Sequence, residues 1–509
     1  MGLPAVNLNV LDNGLAQALP GNGNTEYVIG CASQGPYFQI VNSTNPGAFS
    51  AQNGAGPGVE LAGFIANSTG NAVAFVAVPG SGATNTGMVA SIPGNSTSKA
   101  NITGTPFDTY YGLVKVLTGG TLGTGPIQVS VSLDGGRTTY AVYNLGVGFS
   151  VAIASTGLTL SFSAGTLVTG DSFSWVSTEP VWTSAQVASA INLLLPIPTL
   201  LPEDIIIAGG SAQRLGAGTV GAAAADVTAL DGFLTTLFNK RRFNRGLLHA
   251  GDASYGGNAQ TPWGGASAET EVAWISSLQT AFANASSLRV GVTGGHYNAI
   301  SPYSQTQFRR PLLWQAAARD SAVAIQVDLG RVSDGALANM PLPASPDGWI
   351  YHDDFVNPGL DASRFMAAMS IANRPGVFIA NPNLMAPPGS DFNWLQRGHV
   401  VDAACLIAYN FFVTKLSSGV RVGTNGFILP QDAKTFEQAC NVQLANGLTN
   451  AGAVSSALCQ VSRTDAILTT ATLTVTVTIV PLGYLKAINV TITFQNPATI
   501  QVTTSQTGP

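Results

Sequence analysis

The residues best equipped for chemistry lie in Tyr351-His352-Asp353-Asp354, with His249, Asp252 and His296 at the ends of other strand-like runs. Imidazole beside carboxylate is the raw material of a metal-dependent hydrolase, which needs several such ligands converging on an ion and its water. Carboxyl ends of strands in α/β sheets are where such sites form. The spacing argues against one. Only 4 histidines serve 509 residues, no HxH or HExxH pair occurs, and adjacent Asp353 and Asp354 point apart unless the backbone turns between them. A strand end whose aspartate caps the next segment explains the motif without an ion. Gly209-Gly210-Ser211 and Gly294-Gly295-His296 sit where phosphate loops would, but neither carries GxxxxGK[ST] or GxGxxG, so both read as turns. The expectation is no catalytic residue, no metal and no cofactor.

Composition points to burial between molecules. Charged residues make up 9% of the chain, against roughly 25% in ordinary soluble domains, and glycine reaches 58 residues. So few charges leave a weakly polar surface, much of which is expected to be covered by other subunits. A net charge of -5 excludes a nucleic-acid partner, which would need a basic patch. The one basic run, Lys240-Arg241-Arg242 with Arg245, reads as the solvated last turn of a helix ending near Phe238. Cys31, Cys405, Cys440 and Cys459 show no CxxC spacing, which suits a reducing compartment. Met1-Gly2-Leu3-Pro4-Ala5 lacks the basic and apolar regions of a secretion signal, so the sequon Asn95-Ser96-Thr97 carries little meaning. The most apolar window, Val187 to Ala208, is broken by Pro196, Pro198, Pro202, Glu203 and Asp204, and no membrane insertion is expected.

The elements that would position these groups form an α/β to α+β multidomain pattern. Residues 1–24 are an extended arm ending in Pro20-Gly21-Asn22-Gly23-Asn24. Residues 25–101 and 182–396 alternate strands with helices and form a discontinuous α/β core. Its strands include Thr25 to Cys31, Ala72 to Val78, Asp204 to Ala208, Gly246 to Ala250, Leu288 to Val292, Gly348 to Tyr351 and Gly376 to Ala380. Helices are expected at Val59 to Ala66, Val187 to Leu195, Val227 to Phe238, Pro311 to Ala318 and Phe365 to Ile371, with another carrying Val272, Ile275 and Leu278 on one face. Residues 102–181 hold short, turn-bounded strands around Asp134-Gly135-Gly136, as an inserted β-sandwich would. Residues 397–509 read as a small C-terminal α+β domain. One of its helices has Val401, Ala404, Cys405, Ala408, Phe411 and Phe412 on one face, and a second runs from Asp432 as N-cap to Leu444.

Several stretches resemble the contractile tail sheath proteins of myophages. They are Tyr351 to Asp361, Arg374 to Asn381 continuing to Gly389-Ser390-Asp391-Phe392, Val480 to Lys486, and the early segment Gly30 to Pro36. The resemblance implies a non-enzymatic virion structural protein in stacked homo-oligomeric rings around a tail tube. It further implies partnership with the tail tube, baseplate and tail terminator proteins, assembly in the host cytoplasm, and contraction that drives the tube through the host envelope for genome ejection. The 102–181 unit would face outward, replaceable from Thr103 to Glu179 by a short linker. The rivals are a non-contractile tube or surface-layer subunit, and the hydrolase weighed above.

The termini supply the expected mechanism. Leu473, Val475, Val477 and Ile479 alternate with threonines, and Ile488, Val490, Ile492 and Phe494 alternate with polar residues after Pro481-Leu482-Gly483, which predicts two terminal strands. Val6, Leu8 and Val10 form a strand pattern with no hairpin partner nearby. An orphan strand and an open sheet edge on one chain invite strand exchange between subunits.

Overall fold

The computed structural model describes residues 25–85, 88–90, 93–146, 149–197, 200, 202–212, 223–252, 270–340 and 359–490. Its organising layer is a six-stranded sheet whose strands lie in the spatial order Val290–Thr293, Arg245–His249, Asp204–Ala208, Glu26–Ala32, Val73–Pro79 and Ile40–Ser43. The first strands are β1 (Glu26–Ala32), β2 (Ile40–Ser43) and β3 (Val73–Pro79), with helices α1 (Pro46–Asn53) and α2 (Pro57–Thr69) between β2 and β3. Later come α3 (Ser184–Asn192), β14 (Asp204–Ala208), α4 (Ala224–Asn239), β15 (Arg245–His249), α5 (Glu271–Ala281) and β16 (Val290–Thr293). Only β2 runs antiparallel to its neighbour. The strands are continuous apolar runs because the sheet is covered on both faces.

Two residues of β1 fix which helix covers which face. The Tyr27 hydroxyl donates to the Ala190 carbonyl of α3 at 2.7 Å. Three residues on, and therefore on the opposite face, Gly30 lies so close to Gly58 of α2 that a Cβ on it would sit 2.5 Å from the Gly58 Cα. Beyond the sheet, β17 (His296–Ile300) and β18 (Gln307–Pro311) form a hairpin, followed by α6 (Leu313–Ala322), which packs on α2.

The chain leaves this layer and returns to it through an antiparallel bridge between Ser81 and Val181. Between them lie β4 (Val89–Ala90), β5 (Ala100–Gly104), β6 (Tyr111–Thr118), β7 (Gly120–Thr121), β8 (Gln128–Ser132), β9 (Ala141–Asn144), β10 (Ser150–Ile153), β11 (Leu158–Phe162), β12 (Thr166–Leu167) and β13 (Ser172–Val176). They form sheets of five, three and two strands around one core that includes Ile102, Val114, Val131, Leu160 and Trp175. β4 and β5 belong to these sheets, so the β layers begin ahead of residue 102. Phe308 of β18 inserts into the same core, and Arg310 reaches across to Asp108 at 2.7 Å.

Three expectations are corrected. Phe365 to Ile371 is not helical: Ala368–Ile371 is β19, paired antiparallel with β20 (Arg374–Ile379) across a turn where Asn373 takes φ 62°. The Ala and Met residues favour a helix, but a left-handed asparagine followed by Arg374-Pro375 turns the chain back and cross-strand pairing decides. On α7 (Leu395–Val413) the buried apolar residues are Val400, Ala403, Ala404 and Ile407, with Phe411 and Phe412 half-buried beside them. Of the expected face Val401, Cys405 and Ala408 are less buried, because the helix turns to bury Gln396, His399 and Asp402 as well. α8 (Pro430–Leu444) is preceded by Leu429 as N-cap, with Pro430 opening it, and Asp432 lies inside its first turn.

The C-terminal sheet also differs. It pairs β21 (Ser456–Val461) with β22 (Val475–Val480), with the short helix α9 (Ile467–Thr470) between them. β21 has only Val461 as a strong strand former beside Ser, Ala, Leu, Cys and Gln, which hid it from a pattern reading. Residues 481–490 form no strand within the chain, so Ile488 and Val490 are not β22's partners. The expected strand at Gly348 to Tyr351 lies outside the described residues.

Candidate functional site: assembly edge and buried polar clusters

The terminal sheet is blocked on one edge and open on the other. Outward-facing main-chain groups of β21 are occupied by α8: Cys459 N donates to Asn441 Oδ1 at 2.6 Å and Val461 N to Glu437 Oε1 at 2.8 Å. These bonds make Cys459 and Val461 members of non-hydrogen-bonded cross-strand pairs, with Val477 and Val475 opposite them. By the same alternation, the N–H and C=O groups of Val475, Val477 and Ile479 point away from β21. Among the described residues no strand takes them up.

The expected assembly residues divide accordingly. Val475, Val477 and Ile479 lie in β22, half-buried against the cluster of Val400, Ile407, Cys440 and Leu444. Leu473 precedes the strand and packs beside Ile428 and Val461. Ile488 and Val490 are 72% and 76% exposed, and Leu485 is 85% exposed. That segment is anchored at its start. Tyr484 donates to the Gln326 carbonyl at 2.7 Å, and the Lys486 ammonium lies 2.6 Å from Asp328 Oδ2 and over the Trp394 ring. Val6, Leu8, Val10, Ile492 and Phe494 lie outside the described residues.

The hydrolase candidates gather without converging. His249 ends β15, His296 opens β17, and their ring centroids stand 5.8 Å apart in an edge-on arrangement. Asp252 is held by Arg309, whose Nη2 donates to Oδ1 at 3.0 Å while Nε takes the other oxygen. Both His249 nitrogens face main-chain carbonyls, of Ala250 at 2.9 Å and Gly209 at 3.0 Å. Burial pushes His296 down to about 3, more than Asp252 raises it, so the ring stays neutral. This is a buried polar cluster, built around the Arg309–Asp252 pair, at the carboxyl ends of the sheet. His352, Asp353 and Asp354 lie outside the described residues.

At the opposite end of the sheet is a cluster that the sequence reading missed. Glu26, Asp204 and Arg245 open three adjacent strands, and their register places them side by side. α6 adds Asp320, and α7 adds His399 and Asp402. His399 Nε2 stands 3.0 Å from Asp204 Oδ1 and Nδ1 stands 3.3 Å from Glu203 Oε1. Arg245 pairs with Asp402 at 2.8 Å. Burial, then neighbouring negative charge, pushes the carboxyls of Glu26, Glu203 and Asp320 well above the usual range. For Asp204 burial is outweighed by His399, which holds it below that range. The available signal was an acid opening a fully buried run, Glu26 before Tyr-Val-Ile and Asp204 before Ile-Ile-Ile.

No family model matches the sequence, and no curated protein matches it either. Among solved structures, the sheath of an extracellular contractile injection system, the PVC sheath complex in its contracted state, superposes with a TM-score of 0.52 at 9% identity. The superposition covers 98% of this chain and 99% of that one. The chain has the fold of a contractile sheath protein. Sheath tail proteins from Listeria innocua (TM-score 0.45, 12% identity, covering 90% of this chain and 95% of that one) and Desulfitobacterium hafniense (0.43, 10%, 94% and 100%) are further neighbours. The two-stranded sheet of β21 and β22 is one of several elements of the described residues with a free sheet edge, and no helix of the described residues is long and apolar enough to cross a membrane.

Proposed function

We propose that this chain is the structural subunit of a contractile tail sheath. It polymerises with itself into stacked rings around a tail tube, meets baseplate and terminator proteins at the ends, and contracts to drive the tube through a host envelope. On this reading the subunit is assembled in the host cytoplasm and ends in the virion tail. Its parts are an N-terminal arm (1–24), a discontinuous α/β core (25–101 and 182–396), an outward-facing β unit (102–181) and a C-terminal α+β unit (397–509). A fixed-geometry tube or surface-layer subunit would use the same contacts without the rearrangement.

The observation that carries the proposal is the open edge of β22 beside a blocked edge on β21. A sheet with one capped edge accepts a strand from one side only, which gives a chain of subunits polarity. The occupant is the strand Val6–Val10 of a second copy, whose apolar residues alternate as an edge strand requires. The glycine-rich Gly21 to Asn24 would let that strand stay docked while subunit bodies rotate. Each added main-chain bond contributes about 0.5–1.5 kcal/mol net, so the linkage is strong only when repeated around a ring.

Val477→Pro tests this directly, because it removes an outward N–H without touching the bonds to β21. Sedimentation should show folded subunits that no longer polymerise, as should deletion of Met1 to Leu19. Polymers of normal size from both variants would refute strand exchange.

A further inference from the structure

Glu26, Glu203, Asp204 and Asp320 crowd the amino ends of β1 and β14 with one imidazole, His399, among them. Arg245 and Arg289 are not spare cations, since both face Asp402, at 2.8 Å and 3.6 Å. The ligand atoms of Asp204, Asp320 and His399 lie within 4.8 Å of one another, and all three residues are buried. Donors held at about 2.1 Å from a tetrahedral ion stand about 3.4 Å apart. The two carboxylates flank the His399 ring, Asp204 3.0 Å from Nε2 and Asp320 4.0 Å from Nδ1, so an ion would take one ring nitrogen with the carboxylate oxygens that lie within 4.8 Å of it.

A second observation points the same way. Glu26 is 0% exposed, and the donor near its carboxylate, the main-chain N–H of Asp204, makes no well-formed hydrogen bond to it. One oxygen each of Asp204 and Asp320 also lacks a donor from any other group, the two carboxyls facing each other. The register of β1 on β14 sets Glu26 beside Asp204 on the same sheet face, and its charge acts on both Asp204 and Asp320. Buried carboxylates without donors are costly, and are relieved either by taking up protons or by a cation.

We propose that Asp204, Asp320 and His399 bind one divalent transition-metal ion, with the buried Glu26 carboxylate beside Asp204 adding charge to the site. Carboxylate oxygens with one imidazole nitrogen suit zinc or manganese rather than a soft or an all-oxygen ion. The site is closed, so the ion is structural. Its ligands come from the sheet, α6 and α7, and α7 continues into the core beneath β21 and β22. The ion therefore staples the C-terminal unit to the six-stranded sheet. Binding displaces protons from the acids, so affinity weakens as pH falls.

The test uses the full chain, stripped with a chelator and titrated with zinc chloride or manganese chloride at pH 8. Metal per chain after gel filtration and the melting temperature are read together. About one ion per chain and an upward melting shift are expected in the wild type. Both should vanish in Asp320→Asn and His399→Gln, and affinity should fall roughly 10- to 100-fold in Glu26→Gln. Circular dichroism confirms that each variant is folded; should the ligand variants misfold, the isosteric Glu26→Gln decides. A folded wild type that retains no ion and whose melting temperature does not move would overturn the proposal. Metal uptake undiminished in every variant would overturn it too. So would an Asp320→Asn chain melting above a wild type that binds nothing, since the acids then share protons instead.

Discussion

At the residue scale, the structure handles buried charge by local pairing. Arg309 holds Asp252, Arg310 holds Asp108, and Arg245 holds Asp402. Glu60, in the first turn of α2, is less well served. The Ser301 hydroxyl donates to its two oxygens at 3.2 Å and 3.0 Å, yet burial lifts the carboxyl to about 7 despite the pull of Arg310. Its value in the folded chain lies above the ordinary 4.5, so its contribution to stability is full below 4.5 and is lost as pH rises through 7. Glu60→Gln keeps an acceptor for Ser301 and removes the charge. It should melt like the wild type at pH 4.5 and be more stable by about 1–3 kcal/mol at pH 8. Urea unfolding at the two pH values measures this; equal stability at both would contradict it. The chemistry-bearing residues were legible in the sequence as types but not as partners. His399 and Asp204 are 195 positions apart, and nothing along the chain links them.

At the element scale, α7 joins the sheet to the C-terminal core, and its packing depends on one missing side chain. A Cβ on Gly398 would stand 2.1 Å from the Arg245 guanidinium, which is itself held by Asp402 and the Leu288 carbonyl. Alanine is the better helix former by about 1 kcal/mol, but forcing this buried arginine aside costs about 1–3 kcal/mol. Gly398→Ala should therefore destabilise the chain. Gly232→Ala, in α4 with nothing near its Cβ position, should stabilise it by up to about 1 kcal/mol. Thermal melts of the two variants moving in the same direction would contradict this reading. Strand identity was legible wherever a run was continuously apolar: Asp204–Ala208 and Leu158–Phe162 lie where pattern alone places them. It failed where local preference and pairing disagree, at β19, and where a strand is built from weak formers, at β21.

At the scale of the whole molecule, the bridge between Ser81 and Val181 closes the base of the β-rich stretch, so the two chain ends meet there. Replacing residues 82–180 by a short Gly-Ser linker, with Phe308→Ser to remove the ring that the excised core covered, should leave the six-stranded sheet folded. A cooperative melt by circular dichroism would support this; an insoluble chain would show that the two cores fold as one. The alternation of strands and helices, the β texture from 102 to 181 and the sparse charge were legible from the start. The capped edge of β21 was not, because it depends on Asn441 and Glu437 reaching from a separate helix. On the proposed reading, this chain builds a sheath by adding strands to β22. Electron microscopy of the purified full-length chain should then show hollow tubes or stacked rings, and single small particles at every salt and protein concentration would rule that out.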